Sequence, residues 1–141
     1  MTQENKELLI RDLCGRLPYG VKVKLGDNPN IFDLEYRIKF AVMYGDSDKL
    51  EDILDITNIK PYLFPLSSMT EEQEEEFKNL FYRFHESAFI FNERFAYDRY
   101  SIKDIGFYPC YLQDWLLKNN FDIYGLIPMG LAIDATDKNI Y

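Results

Sequence analysis

The sequence predicts an α+β fold in one domain over residues 1–141, with a small antiparallel β-sheet, its hairpin at about 19–44, packed against about three helices. Three patterns carry that expectation. Apolar residues recur at helical spacing over 3–17, switch to period two over 19–44, and return to helical spacing at 70–88 and 110–119 behind helix-start signals.

In the first helix, Leu9, Ile10, Leu13, Cys14 and Leu17 form one apolar stripe. Pro18 is placed to end it, because the residue before a proline is pushed out of helical geometry. On that stripe Cys14 reads as a small buried hydrophobe rather than a reactive thiol. Past Tyr19, the residues Val21, Val23 and Leu25 point one way and Lys22 and Lys24 the other. Gly26-Asp27-Asn28-Pro29-Asn30 supplies the turn. Leu34, Tyr36, Ile38, Phe40 and Val42 then share one face, with Glu35, Arg37 and Lys39 opposite, until Gly45-Asp46-Ser47-Asp48. A hairpin alone is marginal, so a third strand or helical cover is required. Leu50, Ile53, Leu54 and Ile56 fit a short helix or that strand equally well. Pro61 and Pro65 are expected to break regular structure around Tyr62, Leu63 and Phe64.

For the second helix, Ser68-x-x-Glu71 and Thr70-x-x-Gln73 both match a capping box. The acids Glu71, Glu72, Glu74, Glu75 and Glu76 fall where the helix dipole favours negative charge, which makes them a solvated helix start before they are a site. Phe77, Leu80, Phe81, Phe84 and Ala88 form its apolar face. The aromatic stretch onward to Tyr100 fits a helix, a strand or a packed loop. Pro109 suits the first turn of a third helix, whose core face is Leu112, Trp115 and Leu116. The tail carries Phe121, Tyr124, Leu126, Ile127, Leu131 and Ile133, so it should dock on the body, while the last six residues are polar enough to fray.

Composition narrows the chemistry. The net charge is −8, with 16 basic and 24 acidic residues, a field that repels nucleic acid and anionic lipid. The two cysteines, Cys14 and Cys110, lie 96 positions apart, which suits a reducing compartment. No secretory signal pattern and no apolar run long enough to span a bilayer occurs, so a cytoplasmic protein without a membrane partner is expected. One histidine, His85, rules out a histidine-rich metal site, and no cofactor motif is present. Asp46, Ser47, Asp48, Glu51 and Asp52 crowd oxygens into a turn without the glycine and spacing of a calcium loop. Gly15-x4-Gly20 precedes a strand and lacks the Lys-Ser/Thr of a P-loop.

Two sites remain to be weighed. His85 with Cys110 is the sharpest nucleophile pair, for a small hydrolase or transferase, but no local signature accompanies it. Lys22, Lys24, Arg37 and Lys39 share the outer hairpin face, with Tyr19 near its edge. Such a ribbon holds phosphates or stacks bases, or it is simply a solvated, edge-protecting face.

Three segments together carry a resemblance: Lys6 to Cys14 running into Arg16-Leu17-Pro18-Tyr19-Gly20-Val21, then Ile59 to Glu71, then Asn120-Phe121-Asp122 with Gly125-Leu126-Ile127 and Gly130-Leu131-Ala132. The chain resembles a family of uncharacterised small proteins found in phage-like and mobile elements of gut Bacteroides-type bacteria. The matching segments cover a little under half the chain. That family often has Arg where Phe64 stands, and Arg or a similar residue near Tyr124, so this sequence departs from it there. The resemblance implies a phage- or plasmid-associated setting and brings no site residues. The expected function is a non-catalytic interaction protein. Its candidate contacts are Phe89 to Tyr100 and Phe121 to Ile133, with a protein partner or self-association. The alternatives are a nucleic-acid binder through the basic hairpin face and the His85–Cys110 enzyme.

Overall fold

The computed structural model describes residues 1–35, 55–84 and 110–141. Within them lie three helices, α1 (Gln3–Arg16), α2 (Glu71–Phe84) and α3 (Cys110–Lys118), and four strands, β1 (Lys22–Leu25), β2 (Ile31–Asp33), β3 (Ile59–Leu63) and β4 (Ile133–Asp134). The strands form one sheet in the order β2-β1-β3-β4. β1 pairs antiparallel with β2 and β3, and β4 adds to β3 in parallel, so the α+β sheet is mixed.

The helix starts follow local chemistry. Thr2 caps α1, its Oγ1 accepting from the Asn5 N–H at 3.2 Å. Of the two possible capping boxes before α2, Thr70 and Gln73 form the real one. The Thr70 N–H donates to Gln73 Oε1 at 3.0 Å and the Gln73 N–H to Thr70 Oγ1 at 3.2 Å. α3 ends in a Schellman turn: the Asn120 N–H reaches Leu117 O and the Phe121 N–H reaches Leu116 O. Asn120 takes the left-handed position there, with φ 60°.

The buried side of α1 differs from the expected stripe. Leu9 and Leu13 are buried, but Ile10 and Cys14 are exposed. Asp12 and Arg16 are buried in their place. The helix is rotated because a bidentate ion pair lies on the face that meets α3. Arg16 Nε donates to Asp12 Oδ2 at 2.8 Å and Nη2 to Oδ1 at 2.7 Å. The guanidinium then donates to Leu117 O, in the last turn of α3, at 3.3 Å and to Phe121 O, just past the helix end, at 2.6 Å. Burial pushes the Asp12 carboxyl above its ordinary range, against the lowering pull of the Arg16 hydrogen bonds. Close approach is allowed by Gly15, where an added Cβ would meet Leu117 Cδ1 at 3.2 Å.

The hairpin turns as expected, with Lys22 opposite Asp33 and Lys24 opposite Ile31, but its second strand is shorter. β2 ends at Asp33, and Leu34 and Glu35 already have helical geometry. Its partner has run out: the Leu34 N–H takes Val21 O, and before Val21 the chain turns at Gly20, φ 84°. Residues 36–44 of the expected strand lie outside the described residues.

Of the ambiguous stretch, Leu50, Ile53 and Leu54 lie outside the described residues and Ile56 opens a 3-10 turn, Ile56–Asn58. The third strand is β3, which runs through Tyr62 and Leu63 where the prolines were expected to break regular structure, with Pro61 inside it facing Val23. The Gly26 N–H donates to Asn58 O at 2.7 Å, which makes alternate pairs, Lys24–Lys60 among them, the hydrogen-bonded ones. Val23–Pro61 is therefore a non-bonded pair, and β4 joins only from Tyr62 onward, so no ladder bond needs a Pro61 N–H.

Two apolar clusters fill the body. Leu9, Leu13, Val21, Val23, Ile59 and Leu63 join α1 to the inner sheet face, together with Leu126 and Leu131 of the tail. Phe77, Leu112, Trp115, Leu116, Phe121 and Ile123 join α2 to α3. The Trp115 ring stacks on Phe121 at 5.9 Å and tilts against Phe77 at 5.4 Å. Asp122 turns the tail back by accepting the N–H groups of Leu126 and Ile127 at 2.8 and 2.9 Å.

The buried pair sets a clear expectation. Arg16→Met alone leaves a buried carboxylate and should cost roughly 3–5 kcal/mol. Asp12→Leu combined with Arg16→Met should cost less than Arg16→Met by itself in urea unfolding; additive costs would refute the coupling. A second expectation concerns Asn120, whose buried Oδ1 has no hydrogen-bond partner among the described residues. Asn120→Gly keeps the left-handed turn and removes that oxygen, so stability should rise by about 0.5–1 kcal/mol. A fall in the urea midpoint would show that the oxygen is satisfied after all.

Candidate functional site

The outer sheet face carries Lys22 and Lys24, the part of the basic set that falls within the described residues. The pairing register lays Ile31, Lys24 and Lys60 in one row across β2, β1 and β3, with Asp33, Lys22 and Tyr62 in the next. Val21 and Val23 point to the other side and are buried, so the lysines are outside as expected. Lys22 is not a free cation: its Nζ meets Asp33 Oδ1 at 2.9 Å. Lys24 and Lys60 are directly opposed, and neither makes an ion pair with any described acid. Like charges facing each other across a ladder cost stability. Ile31, 45% exposed, closes the row with an apolar side chain. Lys60 was missing from the sequence-derived set, because the prolines beside it spoke against a strand.

Arg37 and Lys39, the rest of that set, lie outside the described residues, as do His85 and the Asp46–Asp52 turn acids. Cys110 is the first residue of α3. Cys14, expected in the core, is exposed because α1 turns its Asp12–Arg16 face inward instead. The aromatic contact stretch Phe89 to Tyr100 is likewise outside the described residues. Most of the other contact segment serves the core: Phe121, Ile123, Leu126, Leu131 and Ala132 are buried, and Pro128 to Gly130 form its exposed tip.

A second charged surface lies along α2. Glu71, Glu72, Glu75, Glu76, Asn79 and Leu80 line a recess of about 610 Å³. Glu76 has a structural duty, its Oε1 accepting from Trp115 Nε1 at 3.0 Å. Among the described residues, no group of three or more His, Cys, Asp or Glu is placed to hold a metal ion, and no helix is long and apolar enough to cross a membrane.

Sequence reasoning also missed Tyr141, which lay in the segment expected to fray. Its hydroxyl accepts from the Lys22 N–H at 3.0 Å and donates to Tyr62 O at 2.8 Å. Lys22–Tyr62 is the next bonded position after Val23–Pro61, so the hydroxyl stands where a direct ladder bond would run. Its ring lies 5.8 Å from that of Phe64. Burial pushes the hydroxyl up to about 12, with the Lys22 N–H pulling the other way. An acid raised this way favours folding below its unfolded value of 10.0, and the benefit fades as pH climbs from there toward about 12. Tyr141→Phe should cost about 1 kcal/mol at neutral pH. Thermal melting across the alkaline range should show that gap narrowing above pH 10.0; a gap independent of pH would refute the bridge.

No family model, curated protein or solved structure matches this chain.

Proposed function

We propose that the chain is a non-catalytic interaction protein of a phage or mobile element, acting in the cytoplasm on a protein partner or on a second copy of itself. The observation that carries this reading is the Lys24–Lys60 pair. Two lysines are paired across the ladder without a described counter-ion, beside an exposed isoleucine. An anionic surface arriving from outside would relieve that repulsion. The buried charges support the same reading from the other side. Asp12, Arg16 and Asp122 are closed off and bonded to one another's elements or to the tail's own backbone, where their work is scaffolding.

The same lysine row favours a second reading, nucleic-acid binding. Against it stand the net charge of −8 and the neutralisation of Lys22 by Asp33.

Capture of partner proteins by the tagged chain, measured in parallel with fluorescence anisotropy of labelled oligonucleotides, separates the two. K24E/K60E should lower partner retention about tenfold, a loss of about 1.4 kcal/mol. Oligonucleotide binding by the unaltered chain should stay in the weak non-specific range, about 10⁻⁴–10⁻⁶ M. Tighter, steeply salt-dependent oligonucleotide binding would move the assignment to the second reading. A turnover abolished by His85→Ala would overthrow both.

A further inference from the structure

We infer that the occupant of the lysine row is a second copy of this chain, docked through the acidic recess of its α2; this rests on the interaction reading above. The two surfaces are complementary in three respects. In charge, Lys24 and Lys60 have no counter-ion among the described residues on one, and Glu71, Glu72 and Glu75 are exposed around the other. In spacing, neighbouring strands put the two lysines about 5 Å apart at the backbone, while Glu71 and Glu75 are one helical turn apart, about 6 Å along the axis. In apolar character, the row ends on the exposed Ile31, and Leu80 lies among the glutamates on the α2 surface.

Among the described residues no ion pair joins either lysine to an acid, and Glu71, Glu72 and Glu75 are exposed. Glu76 is tied to Trp115, which fixes one wall of the recess. The contact is heterologous, because the sheet face of one copy meets the helix face of the next. It therefore propagates into rings or short chains rather than stopping at a symmetric dimer. The net charge of −8 also dictates an unusual salt response. Repulsion between whole molecules reaches furthest at about 0.01 M salt and is largely screened near 0.1 M. The contact pairs themselves weaken towards about 1 M. Association should pass through a maximum at intermediate salt, whereas nucleic-acid binding falls steadily.

The test is sedimentation velocity on the full chain at concentrations up to about millimolar, the range expected of a small polar contact. The unaltered chain should associate near 0.1 M salt. K24E/K60E and E71K/E72K/E75K should each weaken association about tenfold or more, and an equimolar mixture of the two should restore it. Lysines at a helix start oppose its dipole. Circular dichroism therefore checks the fold of that variant, and E71Q/E72Q/E75Q repeats the loss without the burden. A chain that stays monomeric throughout, or well-folded variants whose mixture fails to recover, would overturn the inference. If the same lysines then capture a different protein, the interaction reading survives and only the identity of its partner changes.

Discussion

One arginine holds the two halves of the described body together. Arg16 is completely buried, and its guanidinium makes four bonds: two to Asp12 of its own helix, one to Leu117 O in the last turn of α3 and one to Phe121 O just past it. Helix ends leave carbonyls without internal partners, and the partial negative charge gathers there. A planar cation with fixed donors answers both needs at once. The cost is desolvation of an ion pair, and breaking one side of such a pair costs more than replacing both. The rotation of α1, the exposure of Cys14 and the need for Gly15 against Leu117 all follow from seating that group.

What Arg16 anchors is a crossing of chain segments far apart in sequence. Phe121, whose carbonyl it holds, lies beside Phe64, and the Phe64 backbone bonds Asn120 O and the Asp122 N–H on either side. Asp122 in turn folds the tail over the inner cluster. Three segments far apart in the chain thus meet at one place. The α1 arginine, the strand after Ile59 and the Asn120-Phe121-Asp122 turn together form a structural frame. The Phe64 ring packs between those of Phe121 and Tyr141.

The sheet shows how a surface can be set by backbone accounting. Pro61 sits in an interior strand because its missing N–H falls at a position where neither neighbour asks for one. One residue further, the ladder between β1 and β3 is bridged by a side chain, the Tyr141 hydroxyl. That register leaves Lys24 facing Lys60. The opposed lysines are thus a consequence of how the core strands must align, and their charge, without a counter-ion among the described residues, is what the proposed partner surface would meet.

The helices and the hairpin turn were legible in the sequence, because each rests on local chemistry. The Thr70–Gln73 box, the period of Leu112, Trp115 and Leu116, and the Gly26–Asn30 turn need no distant partner. The outward direction of Lys22 and Lys24 was legible for the same reason, since alternation alone decides it. Asp12 and Arg16 carried a faint signal, an acid and a base four apart on a helix, which ordinarily marks a solvated pair. Only their contact with the end of α3 turns that pair inward. Strand membership of Ile59 to Leu63, the early end of β2, the docking of Tyr141 and the pairing of Lys60 with Lys24 were decided by tertiary structure. Each depends on which backbone groups arrive opposite, and that is settled by partners up to 119 positions away.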